Sequence, residues 1–585
     1  FGMEYIVSNI AVPESVQVST HLWIRGNFKK NGDFLYLLDG YVIDYRIKNV
    51  VEYLNLGLEN HYANGAYNIF CFDKQNGRLE KKTDKRATLS LYGYEKDGVF
   101  AYSNNPWLLV KYFYDSISIS VESLKSQLLY FTDYHPTRTL FTNISRVDGA
   151  TYICYDVLRN SIKKHRYWDF TYMPDSNLGI KTFLEKVDSD FTYYFETVKN
   201  RNEGQLAGFG CSGGLDSRII AHYLHKVGIR SRAYVFGDEK PHRFLRSTTA
   251  KTSEMVGSSY GFKVDFIPYR AEWITRSLIL DIRNDPFVYS QAYINPYDDM
   301  PSFDYMFVGD PGGLAYMADY VLTGNSLKLK EHADYFIGYR HWAMTGIPSV
   351  LRKAAMHLKI PFNPYSDTGV LGLGRSAITR VIDPRTREVC REELYACIDG
   401  FGGENNIEKW VRIHDKITAK YQYSAGYSSV SHTKRSYQLY YPFFYDTIAS
   451  MPPEYFKDKF FLKKIIEFVN PDLLKIPDQN LNIIGGIHGC IGKFRNRIEL
   501  AMRGRGLNFL HLLRTPAYRK CAYGVFNRDN PVFYSVVDKK RLFKSGLIEC
   551  YAGVQYLKLK MLLDIFYYRE LDVLLSDRQY EKPEW

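Results

Sequence analysis

Hydrophobic and polar positions follow two different rhythms along the chain. Between residue 3 and about residue 170, short aromatic and β-branched runs such as YNIFCFD, GVFAYS and ATYICYDV are separated by KQNGR, EKDG and RVDG. Runs of that kind, bounded by Gly, Asn and Asp, predict strands and turns. Asn76-Gly77, lying between two of them, predicts a hairpin. From about residue 180 the apolar spacing lengthens, and IKTFLEKVDSDFTYYFETVKN repeats at helical intervals. QLAGFGC, SRAYVFG and KVDFIPY then read as strands, alternating with DSRIIAHYLHKVG and LRSTTAKTSEMVGSSYG as helices. That alternation predicts βαβ units around a parallel sheet. FDYMFVGDPGG adds a further strand that runs into a glycine-rich loop. Beyond about residue 325 the pattern is mostly helical, and KLKMLLDIFYYRELDVLL predicts a helical tail over the last stretch. No internal repeat or low-complexity linker interrupts the chain.

Length and composition alter this picture only modestly. At 585 residues the chain exceeds one core, so two or three domains are expected. A formal charge of +12 permits an anionic partner without requiring one. The aromatic share of 16%, with 50 tyrosines, reads first as compositional bias. Cys71, Cys154, Cys211, Cys390, Cys397, Cys490, Cys521 and Cys550 are scattered without a C-x-x-C pair, so no zinc ribbon or disulfide framework is indicated. Such usage fits a reducing compartment. No apolar run approaches the roughly 20 residues of a membrane span, and the start lacks a basic-then-apolar signal. A cytoplasmic protein without membrane contact is expected. Phe1-Gly2 before Met3 reads as a cloning remnant, which makes Glu4 the residue after the natural start.

The stretch with the most chemistry is GFGCSGGLDSRII, residues 208–220. A strand ends there and a helix begins, and ligands of open parallel sheets bind outside the carboxyl ends of their strands. Backbone amides at the helix N-terminus, beside Gly213 and Gly214 and next to Leu215, make an anion site. Ser212 and Ser217 add hydroxyl donors. Asp216 is unsuited to touch a phosphate directly, but it suits a magnesium ion that does. A tight turn whose glycines merely relieve crowding is the plain alternative. The spacing is not that of a Walker loop, and no lysine follows.

S-G-G-L-D-S in this context resembles the pyrophosphate loop (PP-loop) of enzymes that split ATP into AMP and pyrophosphate. Further pieces, in order, resemble the asparagine synthetase B superfamily, which includes β-lactam synthetase and the lasso-peptide cyclases. LLDGYVIDY (37–45) and GAYNIFCFDKQNGRLEKKTDKRATLSLYGY (65–94) are similar to its N-terminal domain, and HRYWDF (165–170) to its interdomain segment. YVFGDE (234–239), FVGDPGG (307–313) and YYPFFYDTIASMPPEYFKDKFFLKKII (440–466) are similar to synthetase segments. The resemblance spans roughly residues 30–480 and is specific in the order of its pieces more than in any one piece except the loop. It implies a β-rich, Ntn-hydrolase-like α+β sandwich over residues 3–172, an α/β synthetase domain with a parallel sheet (the adenine nucleotide alpha-hydrolase-like PP-loop fold) over 180–480, and a helical extension over 481–585. It also implies ATP and Mg2+ as cofactors, with adenine near Val235, Phe236 and Gly237, and the second loop contributing Gly309 and Asp310.

The departures matter as much as the matches. Glutamine-using members carry an N-terminal cysteine whose own α-amino group is the base, but here Glu4 follows Met3. Asp39-Gly40 stands where the family has an Asn-Gly oxyanion pair, and a carboxylate there opposes a developing negative charge. The resemblance therefore implies an inactive glutaminase. The second loop reads Val308-Gly309-Asp310-Pro311-Gly312-Gly313 and lacks the usual acidic pair, leaving Asp310 as the second magnesium carboxylate. Lys475 is the substitute for the family's late catalytic lysine, and QLYYP (438–442) replaces its E-x-R-x-P.

The expected activity is ATP-dependent amide formation. A carboxylate from a peptide, a sugar acid or a small molecule is adenylated, and ammonia or a substrate amine displaces AMP. Asp216 and Lys475 are the catalytic candidates, and Asp216 with Asp310 the metal ligands. Two other readings compete. One is a nucleic-acid-modifying PP-loop enzyme, which the charge and tyrosines suit but the absent paired cysteines disfavour. The other is a nucleotide-binding scaffold without ligase chemistry, which the altered second loop favours. His222 and His225, spaced i, i+3 on the helix after the loop, read as a packed or solvated face, not a metal pair. A homodimer is left open.

Overall fold

Alternating runs at the start of the chain fold into two antiparallel sheets in the computed structural model. It describes residues 4–43, 50–59, 63–130, 132–175, 179–237, 248–268, 271–284, 286–287, 302–309, 329–330, 333, 381–418, 436–438, 444–476, 515–545, 547–549 and 551–571. In chain order the strands of the first part are β1 (Ile6–Ser8), β2 (Val16–Ser19), β3 (Leu22–Arg25), β4 (Lys29–Asn31), β5 (Phe34–Val42) and β6 (Gly65–Asp73). β7 (Arg78–Thr83), β8 (Tyr92–Lys96), β9 (Val99–Ser103), β10 (Ile144–Arg146), β11 (Thr151–Asp156) and β12 (Ser161–Arg166) complete them. One six-stranded sheet has the order β10-β8-β9-β1-β3-β2 and the other β12-β11-β7-β6-β5-β4. Side chains on a strand alternate between its faces, so β1, β6, β7, β9 and β11 can each send apolar residues to a shared core. That core holds Tyr5, Val7, Phe70, Phe72, Leu79, Phe100, Tyr102, Ile153 and Tyr155.

The hairpin predicted at Asn76-Gly77 joins β6 to β7, with Asp73 paired to Arg78. Asp73 fixes the turn by accepting bonds from the backbone of Gln75 and Asn76 at 2.9 and 3.2 Å. Among the described residues of this region three α-helices also occur, α1 (Val50–Leu56), α2 (Pro106–Phe113) and α3 (Val121–Tyr130), which the strand-dominated pattern does not predict. α2 starts where its sequence dictates. Asn105 caps it through a 2.9 Å bond from the Trp107 amide, and Pro106 occupies the first helical position.

After α4 (Ile180–Arg201) come β13 (Ala207–Gly210), α5 (Leu215–Val227), β14 (Ser231–Gly237), α6 (Thr248–Tyr260), β15 (Val264–Pro268), α7 (Ala271–Asn284) and β16 (Tyr305–Val308). These match the predicted alternation. β17 (Ser436–Gln438) then adds a strand parallel to β16, inside a region whose pattern reads as helical. The sheet is parallel throughout, in the order β15-β14-β13-β16-β17. β13 is therefore central, and the strand order reverses between β13 and β16.

The expected helical tail is helical over Pro516–Asn527, Pro531–Tyr534, Lys539–Lys544 and Tyr551–Tyr567, but it is no appendage. Val554, Leu557, Met561, Leu562 and Phe566 share one core with α2 to α7 and with the parallel sheet. Tyr114 donates 2.8 Å to the Phe566 carbonyl, tying the last helix to the N-terminal sandwich. The sandwich also docks through Trp107, whose ring N–H donates 2.7 Å to the Ile282 carbonyl on α7. Buried Arg86 pairs with Asp415 at 2.9 Å across the same boundary. Much of the tyrosine excess is interior, since Tyr5, Tyr53, Tyr67, Tyr92, Tyr152, Tyr194 and Tyr223 are fully buried. Among the described residues, no helix is long and apolar enough to cross a membrane.

Candidate functional site

The strand order reverses between β13 and β16, and the carboxyl ends of strands at such a point are where parallel sheets bind ligands. The S-G-G-L-D-S loop lies there. Cys211 continues β13 by donating its amide 2.8 Å to the Tyr234 carbonyl on β14. Its side chain is buried, and burial pushes its thiol up to about 11, so it is an inert packing group. Ser212 is exposed at the loop's tip. Gly213 turns the chain with φ of +73°, and a Cβ there would meet Thr252 Cβ at 2.7 Å. Only glycine meets both demands, so the loop lies directly against α6.

Gly214 is the N-cap of α5 and supplies no side chain to cap it. The helix start thus presents its backbone dipole at these strand ends, with Asp216 in the first turn. Asp216 is partly exposed. Gly309, directly after β16, approaches it so closely that a Cβ on the glycine would sit 3.0 Å from Asp216 Cβ. The structure therefore brings the two loops expected from the sequence side by side. Asp310 lies outside the described residues. β14 meets the loop at Tyr234 and ends at Gly237, with Val235 buried and Phe236 half-buried, paired in register with Phe266 and Ile267.

Two of the residues singled out in the sequence bond within the protein. Ser217 is buried, and its hydroxyl donates 2.9 Å to the Gly214 carbonyl, so it braces the first turn of α5 instead of offering a donor to a ligand. The Lys475 side chain is held in an exposed ion pair. Its ammonium pairs with Asp472 at 2.6 Å, and both side chains are more than three-quarters exposed. The Asp472 hydrogen bond raises the Lys475 pKa above its ordinary value. His222 and His225 pack as expected. His222 Nδ1 lies 3.0 Å from the Tyr260 hydroxyl, and burial lowers its pKa to about 4. Among the described residues no cluster of His, Cys, Asp and Glu is arranged to hold a metal ion.

Sequence reasoning missed Arg218. This fully buried residue donates from Nε and Nη2 to the Gly213 carbonyl at 3.0 and 2.8 Å. From Nη1 it donates to the carbonyls of Leu473 and Ile476 at 2.6 and 2.9 Å. The available signal was a charged residue three positions after Leu215 and directly before Ile219-Ile220, on the side of α5 that carries its apolar residues.

In the N-terminal sandwich, Glu4 accepts 2.6 Å from Asn105 Nδ2, and Tyr5 donates its hydroxyl 3.3 Å to Asp39. Burial pushes the Asp39 carboxyl up to about 6, against the opposing bonds from Asn68 and Tyr5. Cys71 is buried on β6, its thiol pushed up to about 12 chiefly by burial.

No family model and no curated protein matches the chain. Among solved structures it is similar to glutamine phosphoribosylpyrophosphate amidotransferase from B. subtilis complexed with ADP and GMP, at 10% identity and a TM-score of 0.18. That match covers 42% of this chain and 62% of the other, so the chain spans less than two thirds of that structure's length. A second similarity, to a structure of the allosteric regulatory enzyme of purine biosynthesis, has 10% identity, coverage of 45% and 74%, and a TM-score of 0.18. Likeness at this level carries no argument about fold or activity.

Proposed function

We propose that the chain is a PP-loop ligase that forms amide bonds by adenylating a substrate carboxylate, releasing pyrophosphate and then AMP. The observation that carries this reading is the S-G-G-L-D-S loop at the switch point of a parallel sheet, with Asp216 packed against Gly309. The amides at the start of α5 hold the pyrophosphate end of ATP, and buried Arg218 beneath the loop adds positive charge. Magnesium, when bound, offsets the charge of the triphosphate. Asp216 suits it because a partly exposed carboxylate at this helix start needs a cation between itself and a phosphate. Adenine lies against the end of β14, near Val235 to Gly237, since this strand flanks the loop. The carboxylate oxygen attacks the α-phosphorus, pyrophosphate leaves, and an amine or ammonia displaces AMP from the acyl carbon. Incubation with ATP, Mg2+ and a panel of carboxylates, assayed for AMP and pyrophosphate, tests the reading.

The N-terminal sandwich, on this reading, is an Ntn-type domain without glutaminase activity, because the buried carboxyl of Asp39 stands at its oxyanion position. Ammonia release from glutamine by the purified protein would contradict that. A second reading, a nucleotide-binding scaffold, is favoured by Lys475, whose ammonium rests on Asp472 in solvent. It predicts ATP binding without AMP formation on any carboxylate.

A further inference from the structure

We propose that Arg218 is a positioning residue that registers the turn carrying Lys475 against the glycine loop. This inference rests on the nucleotide-binding reading for its purpose, though not for its geometry. Arg218 sits at the start of α5, where its own amide bonds 3.2 Å to the Gly214 carbonyl. Its guanidinium is fully buried. A buried cation is costly unless its donors are satisfied, and an apolar side chain would fill the space without that cost. The donors define what the charge does. One edge of the fork holds Gly213, the left-handed turn of the loop, and the remaining nitrogen holds the carbonyls of Leu473 and Ile476.

Lys475 lies between those two carbonyls in sequence. The other end of its turn is fixed independently. Asn470 accepts 3.2 Å from the Asp472 amide and donates 2.9 Å to the Tyr260 hydroxyl, which also meets His222. The backbone of residues 470–476 is thus pinned to α5 and α6 at two points, while among the described residues the Lys475 side chain is held by an exposed ion pair. Such pairs contribute little. A triphosphate on the loop outcompetes Asp472, and Lys475 swings to it from a backbone already in place. Arg218 acts through the turn and touches no substrate atom.

The test uses the full chain with Arg218→Met, Arg218→Lys, Lys475→Ala and the Arg218→Met/Lys475→Ala double variant. Arg218→Lys keeps the charge, loses the fork, and serves if Arg218→Met does not fold. Hydrogen exchange without ligand should rise across residues 470–476 in both Arg218 variants and stay unchanged in α4. Titration with ATP and Mg2+ should show Lys475→Ala weakening affinity about tenfold in the parent, as for one charge-assisted contact, but less than about twofold in an Arg218 variant. Unchanged exchange at 470–476, or an equal Lys475→Ala effect in both backgrounds, would overturn the proposal. Raised exchange in a protein that never binds ATP would leave the clamp standing and remove the ligase reading.

Discussion

Asp39 and Ser217 show how much a single residue's setting decides. The Asp39 carboxyl is raised from 3.8 to about 6, so the folded state holds its proton more tightly than the unfolded chain. Stability from that proton is complete below the unfolded value and is lost as pH rises through about 6. The cost at pH 8 is at most about 3 kcal/mol. Asp39→Asn removes it, so the variant should melt above the parent at pH 8, with the gap closing toward pH 4. A gap that stayed constant with pH would show that Asp39 ionisation is not the cause. Ser217→Ala removes a neutral bond to Gly214 worth about 0.5–1.5 kcal/mol. It should lower the melting temperature slightly and leave ATP affinity within about threefold, on the same scale. A larger loss of affinity would return Ser217 to the ligand's surface.

At the scale of elements, the loop between β13 and α5 was legible because its residues are contiguous and each constraint is local. Gly213 and Gly214 look alike in the sequence but differ in the structure. Gly213→Ala meets both a positive φ and Thr252, whereas a Cβ on Gly214 finds nothing nearer than Ser212 Oγ at 3.3 Å. Gly213→Ala should therefore shift the loop, lower stability by about 1–3 kcal/mol and weaken ATP binding. Gly214→Ala should keep the parent's melting temperature, and equal destabilisation by the two would contradict the loop geometry. What the sequence could not show is action at long separation. Arg218 meets carbonyls 255 and 258 residues away, which no spacing rule reaches. β17 was hidden because a three-residue strand is too short to display a period. The ion pair of Lys475 with Asp472, three residues earlier, was not read from the sequence either.

For the molecule as a whole, periodicity gave the helices near the C-terminus but not their depth. Tyr551–Tyr567 is apolar on nearly all sides, a pattern of buried helices, yet it carries Lys560 and Asp564, which read as surface. The two are fully buried, 2.6 Å apart, with Asn530 donating 2.9 Å to Asp564. Lys560→Ala leaves an unpaired buried carboxylate and should cost about 3–5 kcal/mol, while Lys560→Met with Asp564→Leu should cost much less. Equal losses in thermal unfolding would place the effect in packing, not charge. The core that this helix shares with the sandwich and the parallel sheet holds the switch-point loop in place. The most direct test of the ligase reading is to follow AMP and pyrophosphate from ATP and Mg2+ over a carboxylate panel, comparing the parent with Asp216→Asn. The parent should release equal amounts of AMP and pyrophosphate, at a rate about a hundredfold or more above the variant, the scale of losing one electrostatic stabiliser. Normal turnover by Asp216→Asn, or no pyrophosphate from the parent with any carboxylate, would contradict that reading.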